Sequence, residues 1–530
     1  MDNWAGELQR IRDFSRKLDE TAPIPTLSED DLNAFARDII RLQDLLSLIG
    51  SLPPSKRPDI CEWDDTVSTL WRKLFSKGDD IDRYTLSDIW LRILMESKEE
   101  KRILRTAAAF VASARNFSLF GEALEVGTSM LDRYGTENCG ALANLLNSVG
   151  SVYYCKKDYE KAEECYLRAH ETAERLTDQE TMKWIGVSNV DFKGQEMINR
   201  IETILERGFL SEGEIRADRA LEAEKLISSL DMMPISTNLA TFLLVTKTEF
   251  QMLANNFKEA GVILDRIEEI GRTGTGPYFY SLMTTHARLR ARLFGLTGDW
   301  NKSYQWIRKA LRQVSTKTYP AEDVFVLEDA IKIVRKLHDD RKGLRDSDLV
   351  KDLVFLLEDK DWYTGGSHSR QVAELSLKIG HIMKKYGAGD LDILELEMAG
   401  LVHDIGKLRI PWSLLNKVAP ITPKEREILK KHAQFGKELL DEIGLTGPAD
   451  IVYEHHETMD SKGYPRGKRP SLPAAIVGIS DVFDASTTLN RRYKVAKGIR
   501  ETMSEIRSLS NLKYHPDVVS SLGMLMEKVV

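Results

Sequence analysis

The chain has 530 residues, of which 42% are hydrophobic and 30% charged, and its formal net charge is −7. This length is too great for one hydrophobic core, so we expect roughly three or four domain-sized units. The acidic balance lacks the basic footprint that binding to duplex nucleic acid usually leaves, so we expect no duplex partner.

The sequence has no feature of a membrane or secreted protein. No apolar run approaches the roughly 20 residues that span a bilayer, and the first residues, MDNWAGELQRIRDF, are mixed in charge, unlike a signal peptide. The four cysteines lack paired metal-ligand spacing, so we interpret them as thiols of helices in a reducing compartment. We therefore expect no membrane span and a cytoplasmic location.

The N-terminal segments show helical periodicity. Residues 5–19 and 32–49 carry apolar positions at three- and four-residue spacing, and the stretch SLPPSKRPD at 51–59 interrupts them. We predict a helical N-terminal region over 1–95, to which the sequence assigns no role.

The most regular segment lies in the middle of the chain, at 143–176. Small residues that allow close helix approach alternate there with large residues that fill the space between two helices. The small ones are Gly150, Ala162 and Ala169, and the large ones are Leu146, Tyr153 and Tyr166. This spacing resembles a tetratricopeptide repeat, which implies a pair of antiparallel helices.

Weaker copies of the second helix of such a repeat occur at 116–131, 255–270 and 298–311. Because one repeat cannot bury its own apolar face, several copies favour a continuous α-solenoid of tetratricopeptide-like repeats over 96–318. An irregular helical bundle is the alternative. A solenoid of this kind implies a protein or peptide partner, and 319–347 is predicted to be a helical linker.

The histidines concentrate near the C-terminus. Seven of the ten follow residue 365, namely His368, His381, His403, His432, His455, His456 and His515. Imidazole binds divalent transition metals well, and nearby carboxylates complete a mixed nitrogen and oxygen site. This distribution predicts a metal centre in the last third of the chain.

The sharpest motif is LVHDIGKLRIP at 401–411. Adjacent residues of a helix point about 100° apart. Such divergence would let Asp404 bridge two metals while His403 binds one of them. An His-Asp pair alone is uninformative, but its combination with the following Gly-Lys and Ile-Pro is specific.

A second motif, YEHHETMDSKGYPRG, occupies 453–467. Because the rings of consecutive helical histidines diverge, we expect His455 and His456 to bind different metals. The Gly463-Tyr464-Pro465 loop combines a permissive and a stiff residue, as in the wall of a ligand site. An ordinary surface turn would be the reading without the histidines.

Three further residues are candidate metal ligands. His368 opens a helix after two glycines, and His432 lies in ILKKHAQFGKELL. Asp481 lies in the apolar stretch AAIVGISDVFDAS, where a buried carboxylate without a partner would be costly. We prefer Asp481 to Asp484 as the ligand, with a hydrogen-bonded structural aspartate as the alternative.

The order and approximate spacing of these motifs resemble the HD-GYP phosphodiesterases over 348–530. The resemblance implies an all-α fold with an HD-type helical bundle and two divalent metals. Iron or manganese is usual in this family, and zinc accepts the same ligands. The implied metal ligands are His368, His403, Asp404, His432, His455, His456 and Asp481.

The resemblance also implies an activity. Similar enzymes hydrolyse cyclic di-GMP to pGpG and sometimes on to GMP, using a metal-activated water. Asp404 and Lys407 would be the catalytic residues. The implied substrate contacts are Lys407, Gly463, Tyr464, Pro465, Arg491, Arg492, Tyr493 and Lys494.

The chain departs from the family pattern at four places. Gln371 replaces a common arginine, and Thr364 replaces a glutamate found in members with three metals, so we favour two metals. Asp460-Ser461 replaces Asp-Gly, and the segment at 491–493 contains one inserted residue. These changes leave two alternatives open: a catalytically weak module acting as a signalling scaffold, and an HD phosphohydrolase for another nucleotide.

Overall fold

The computed structural model describes 4–20, 29–76, 80–117, 119–210, 217–274, 277–317, 325–333, 336, 346–361, 367–387, 391–415, 417, 421–488 and 496–527. These residues are overwhelmingly helical and contain no β-strand. Their one β feature is an isolated bridge between Ser510 and Tyr514. The predicted all-α class is therefore confirmed.

The chain divides into two compact units. The first comprises Met1–Gln313 with Lys317–Glu322, and the second comprises Asp323–Val530 with Val314–Thr316. The finer boundaries expected from the sequence, at 95 and 347, stay predictions. No helix among the described residues is long and apolar enough to cross a membrane.

The first unit begins with four helices that correspond to the predicted N-terminal region. They are α1 Trp4–Glu20, α2 Glu29–Ser51, α3 Ile60–Ser76 and α4 Asp80–Leu94. Pro54–Lys56 forms a single 3-10 turn between α2 and α3, where the prolines interrupt the helical pattern. Trp63 and Trp90 are almost completely buried in the core of this region.

Eleven further helices follow in the described part of the first unit. They are α5 Glu100–Asn116, α6 Phe120–Tyr134, α7 Gly140–Cys155, α8 Tyr159–Glu174, α9 Asp178–Trp184, α10 Asn189–Leu210, α11 Ala217–Asp231, α12 Thr237–Leu253, α13 Phe257–Thr273, α14 Pro277–Leu296 and α15 Trp300–Lys317. Most of these helices pack against the next helix in the chain, and α7 packs most extensively against α8. The three predicted half-repeats coincide with α6, α13 and α15, and the best repeat coincides with the α7–α8 pair.

The α7–α8 pair shows why this segment folds as two helices. Lys157 has a φ of 64° and reverses the chain, and the side chain of Asp158 caps α8 by accepting a hydrogen bond from the amide of Lys161. A Cβ on Gly150 would lie 2.8 Å from the ring of Tyr166, so only glycine allows this approach. Gly150 and Tyr166, one small and one large residue of the predicted pattern, thus lie in close contact.

The second unit includes most of the predicted linker, of which 325–333 is helical. Its helices are α16 Asp346–Lys360, α17 His368–Lys385, α18 Ile393–Val402, α19 Trp412–Leu415, α20 Pro423–Lys430, α21 His432–Glu442, α22 Thr446–Glu454, α23 Leu472–Thr487, α24 Ile499–Ser508 and α25 Pro516–Met526. A 3-10 turn, Ile405–Arg409, follows α18. We call this turn the HD turn.

The core of the second unit fixes the helices that carry the predicted ligands. α17 packs against α18, α23 and α25, and the HD turn packs against α16 and α21. Val372, Leu396 and Val477 are fully buried in the shared apolar cluster. Burial of one aliphatic side chain contributes about 1.5–3 kcal/mol, so this cluster holds the helix ends firmly in place.

Candidate metal centre

Three histidines of the site lie just beyond the C-terminal ends of helices. His403 directly follows α18, His432 lies two residues after the end of α20 and is the first residue of α21, and His455 directly follows α22. In each case Nδ1 lies within hydrogen-bonding distance of the carbonyl oxygen three residues earlier. The distances are 2.9 Å to Gly400, 2.7 Å to Leu429 and 2.6 Å to Val452, in that order.

This repeated contact has a clear chemical consequence. The last carbonyls of a helix lack the amide donor of a following turn, so each can accept a hydrogen bond from Nδ1–H. A neutral imidazole that donates from Nδ1 presents an unprotonated Nε2 on the opposite side of the ring. Metal-binding histidines commonly have this arrangement, in which the second nitrogen is fixed by a backbone carbonyl.

His368, the first residue of α17, is oriented by a carboxylate instead. Its Nδ1 lies 2.6 Å from Oδ2 of Asp484, and its Nε2 lies 3.2 Å from Oδ1 of Asp481. Both aspartates are on α23, three residues apart, so they share one face of the helix. The sequence argument treated them as alternatives, whereas the structure uses Asp484 to orient His368 and Asp481 to face the centre.

Two groups of three side chains have ligand atoms within 4.8 Å of one another. The first group, which we call triad A, contains His368, His403 and Asp481. The second group, triad B, contains His432, His455 and His456. Residues more than a hundred positions apart thus converge, and each triad offers the number of protein ligands typical of a catalytic metal with an open position.

Asp404 lies between the two triads. Its Oδ2 is 3.3 Å from Nε2 of His403 and 3.9 Å from Nε2 of His368. Its Oδ1 is 3.6 Å from Nε2 of His432. One oxygen therefore faces each triad, as a carboxylate shared by two metals requires.

The nitrogen atoms of the centre fit metal ions better than they fit one another. Nε2 of His403 is buried and has no hydrogen-bond partner among the described residues. Nε2 of His432 lies 3.4 Å from Nε2 of His455. If both rings donate from Nδ1, these two nitrogens present lone pairs to each other, which is unfavourable without a cation.

Burial keeps the histidines of triad B neutral. It lowers the pKa of His455 to about 3, with His432 and His403 adding to the effect. It also lowers the pKa of His432, and it lowers the pKa of His456 well below its usual value. Neutral imidazole is the form that binds metals.

Triad A has the opposite electrostatic character. Burial lowers the pKa of His368, but hydrogen bonds with Asp481 and Asp484 outweigh burial and raise this pKa to about 9. Burial raises the pKa of Asp404, but the positive charge of Lys407, the largest of the opposing interactions, holds this pKa well below its usual range. Asp404 is therefore an anion at neutral pH.

Lys407, on the HD turn, lies beside the centre. Its Nζ is 2.7 Å from Oδ2 of Asp404 and 3.1 Å from Oδ2 of Asp361. Burial lowers the pKa of Lys407, but Asp361 and Asp404 outweigh burial and raise it. Lys407 is thus a fixed cation next to the proposed metal ligands.

The Gly463-Tyr464-Pro465 loop, which we call the GYP loop, lies against triad B. The ring centroid of Tyr464 is 4.7 Å from that of His456, and Nζ of Lys430 is 5.6 Å from the centre of the Tyr464 ring. A Cβ on Gly463 would collide with the backbone of 456–458. Only glycine therefore permits this close approach.

Two glutamates hold the GYP loop in place. Glu457, which is 6% exposed, accepts hydrogen bonds from the backbone amides of Arg466 at 2.6 Å and Lys468 at 3.0 Å. Glu454 accepts one from the amide of Ser471 and pairs with the Arg466 side chain. These charge-assisted bonds fix the loop relative to α22.

In the turn before the GYP loop, Ser461 occupies the position where the family pattern has glycine. Ser461 has a φ of 59°, in the left-handed region that glycine usually occupies. A non-glycine residue there costs roughly 1–2 kcal/mol. Ser461 therefore holds backbone strain that a glycine at this position would not have.

One expectation about the histidine pair differs from the structure. The sequence argument gives His455 and His456 to different metals, yet both lie in triad B with His432. The argument assumed a continuous helix, but α22 ends at Glu454, so both residues lie beyond it. Their ring centroids are 3.9 Å apart, with an angle of 40° between the planes.

Several predicted positions lie outside the described residues. These are Thr364 and the proposed substrate contacts Arg491, Arg492, Tyr493 and Lys494. Sequence reasoning also missed Asp361 and Glu457, and it considered Asp484 only as a less favoured ligand and not as the partner of His368. Spacing could have identified Asp484, which is three residues after Asp481 on one helix.

The arrangement of a helical bundle, an His-Asp pair and two histidine-rich triads defines the class of the second unit. Residues 356–518 match the family described as HD domain. The C-terminal region of the chain is therefore an HD domain. Phosphodiesterases with such domains depend on metals, in agreement with the two triads.

Curated relatives give the comparison more detail. A cyclic di-GMP phosphodiesterase of Thermotoga maritima is 36% identical over 188 residues, which cover 34% of this chain and 50% of that protein. A cyclic di-GMP phosphodiesterase response regulator of Xanthomonas campestris is 31% identical, covering 30% of this chain and 44% of the relative.

A 3'3'-cGAMP-specific phosphodiesterase of Vibrio cholerae is 34% identical over 144 residues, which cover 26% of this chain and 32% of the relative. The chain spans half or less of the length of these relatives. The similarity covers at most 34% of this chain.

Proposed function

We propose that this protein is a metal-dependent phosphodiesterase that hydrolyses a cyclic dinucleotide, with cyclic di-GMP as the preferred substrate. The observation that carries the proposal is the shared orientation of His403, His432 and His455, each fixed through Nδ1 with Nε2 directed to one centre. Packing of the helices alone does not explain why three unprotonated Nε2 atoms face the same centre, whereas metal binding does.

The proposed metal centre holds two ions. Triad A would hold one ion and triad B the other, and Asp404 would contact both through its two oxygens. The mixed nitrogen and oxygen ligands of triad A and the nitrogen ligands of triad B are suited to iron or manganese, and zinc accepts the same set. When bound, such ions activate a water molecule and offset the charge that develops on the phosphoryl oxygens.

The residues of the chain position the phosphodiester for attack. Lys407 would bind a non-bridging phosphoryl oxygen as a point charge, and the Tyr464 ring would form a wall beside the nucleotide. Water adds to phosphorus as the bond to the 3′ oxygen breaks, which leaves a 3′ hydroxyl and a 5′ phosphate. Cyclic di-GMP would thus give pGpG, and a second hydrolysis would give GMP.

A related substrate is the second candidate. The similarity to a 3'3'-cGAMP-specific phosphodiesterase is close to that found for the cyclic di-GMP enzymes. Both substrates share the cyclic phosphodiester ring and differ in one base. The metal centre acts on the part that they share, so base recognition would decide between them.

The first unit would serve regulation or docking. Its stacked helix pairs are suited to binding a protein or peptide partner, and nothing in its described residues forms a second metal-binding group. We propose a cytoplasmic location, where cyclic dinucleotides act as signals.

Turnover by the full chain tests the proposal. The protein would be purified without air, loaded with Fe(II) or Mn(II), and incubated with cyclic di-GMP and 3'3'-cGAMP, with products identified by mass spectrometry. We expect a linear dinucleotide from the wild type. Asp404→Ala should abolish hydrolysis and lower bound metal, because this carboxylate faces both triads.

Asp450→Ala is the matched control. Asp450 is an exposed acid of the same domain that pairs with Lys437 at 2.6 Å, so its loss should leave both metal content and turnover unchanged. A metal-loaded wild type that hydrolyses no cyclic dinucleotide would contradict the proposal. Tight binding without turnover would then support the signalling scaffold.

A further inference from the structure

The C-terminal end of α16 holds the HD turn through two consecutive side chains. Nζ of Lys360 donates to the carbonyl oxygen of Leu408 at 2.7 Å. Oδ2 of Asp361 accepts a hydrogen bond from Nζ of Lys407 at 3.1 Å. Lys360 and Asp361 are only 5% and 1% exposed, so both contacts are shielded from solvent.

Of the two carboxylates that pair with the Lys407 ammonium, Asp404 is the nearer, at 2.7 Å, and Asp361 is 3.1 Å away. The Asp404 carboxylate faces both triads, so it draws the ammonium towards the proposed metal ligand. Asp361 directly follows α16 and attracts the Lys407 ammonium from a different position than Asp404 does. Two anchors restrict the ammonium more than one does, since each removes part of its rotational freedom.

The donor count of the ammonium gives these two anchors a functional meaning. A lysine ammonium has three N–H donors and no acceptor. Asp404 and Asp361 take two of them, which leaves the third to point at a ligand. A phosphoryl oxygen of the substrate is the acceptor that the proposed function supplies.

We propose that Asp361 is a positioning residue that holds Lys407 for contact with the phosphoryl group, an inference that rests on the proposed phosphodiesterase activity. Asp361 acts through Lys407 and touches neither substrate nor metal. A shift of the C-terminal end of α16, which Asp361 follows directly, would therefore move Lys407.

A double-mutant cycle in the full chain separates positioning from general support. The variants are Asp361→Asn, Lys407→Met and their combination, with Asp450→Asn as the control for the same chemical change at an exposed acid–lysine pair. We expect Asp361→Asn to lower kcat/KM by roughly 10–100-fold with unchanged metal content, as is typical of second-layer residues. In the Lys407→Met background it should cause no further loss.

The opposite pattern overturns the inference. If Asp361→Asn lowers kcat/KM by the same factor in both backgrounds, Asp361 supports the fold and does not act through Lys407. Asp361→Glu, which keeps the charge, should recover at least part of the lost activity. Equal activity of the Asn and Glu variants would also contradict a role for the charge.

Crystal structures provide a readout that does not need turnover. Nζ of Lys407 should move by about 1 Å or more in Asp361→Asn relative to the wild type, a displacement sufficient to cost up to about 10²-fold in rate. An unmoved Nζ overturns the inference even if the enzyme is active. A wild type without any hydrolysis refutes the proposed function, whereas the structural comparison still decides whether Asp361 positions Lys407.

Discussion

Gly406→Ala should damage the metal centre without removing a ligand. Gly406 lies in the HD turn, and a Cβ at this position would collide with the carbonyl oxygen of His432 and the amide nitrogen of Gly436. Both are backbone atoms of α21, so no side-chain rotation relieves the contact. Either the HD turn or the start of α21 must shift, and His432 belongs to triad B.

The expected magnitude follows from this geometry. Overpacking a close-packed site costs about 1–3 kcal/mol, and the upper part of that range applies because every colliding atom is backbone. For a unit of about 200 residues, each kcal/mol lowers Tm by roughly 2–4 °C. Gly406→Ala should therefore lower the Tm of the second unit by about 4–10 °C.

Calorimetry combined with metal analysis tests this reasoning. Gly261→Ala is the matched control, because Gly261 lies within α13 and a Cβ there meets nothing within 4 Å. That change should be neutral or stabilise by up to about 1 kcal/mol. A Tm of Gly406→Ala within about 1 °C of the wild type, with full metal loading, would refute the close approach on which the argument rests.

Three further predictions concern the rate, the loop strain and the pH dependence. Lys407→Ala should keep metal and fold but lose about 10²–10³ in kcat, as for removal of one preorganised contact; loss of metal would indicate a structural role instead. Ser461→Gly should stabilise the second unit by roughly 0.5–1 kcal/mol in urea unfolding, because relief of left-handed strain exceeds the entropic cost of glycine; destabilisation would contradict the strain. Burial lowers the pKa of His286 to about 4, helped by Arg290, so the unfolded state takes up its proton first as pH falls from 6.5. The free energy of unfolding of the first unit should then fall by up to about 3 kcal/mol between pH 6.5 and 4, with full stability above that window. In His286→Gln this part of the pH dependence of the unfolding free energy should vanish. An unchanged pH dependence would contradict the lowered pKa of His286.

The candidate ligands could be predicted from the sequence because each lies in a short, recognisable motif. His403 and Asp404 depend on a helix end followed by a turn, and glycine and proline in the sequence mark that end. The α7–α8 pair was predictable for a similar reason, since Gly150 and Tyr166 encode a close approach within one short segment. Local sequence patterns are sufficient to predict contacts between residues that lie close together in the sequence.

Contacts between segments that are far apart in the sequence could not be predicted in this way. Asp361 pairs with Lys407 across 46 positions, and nothing in the sequence around Lys360-Asp361 indicates a buried acid. The grouping of His455 with His456 was not predicted, because no glycine or proline in 455–462 marks the end of α22 at Glu454. Glu457 binds backbone amides, which no side-chain pattern reveals.

Anomalous X-ray diffraction from anaerobic crystals of the metal-loaded protein tests the central claim most directly. Data collected on both sides of the iron or manganese absorption edge should show two peaks, one within His368, His403 and Asp481 and one within His432, His455 and His456. Asp404 should contact both ions at about 2.0–2.2 Å. A single peak, or peaks outside these two triads, would contradict the account.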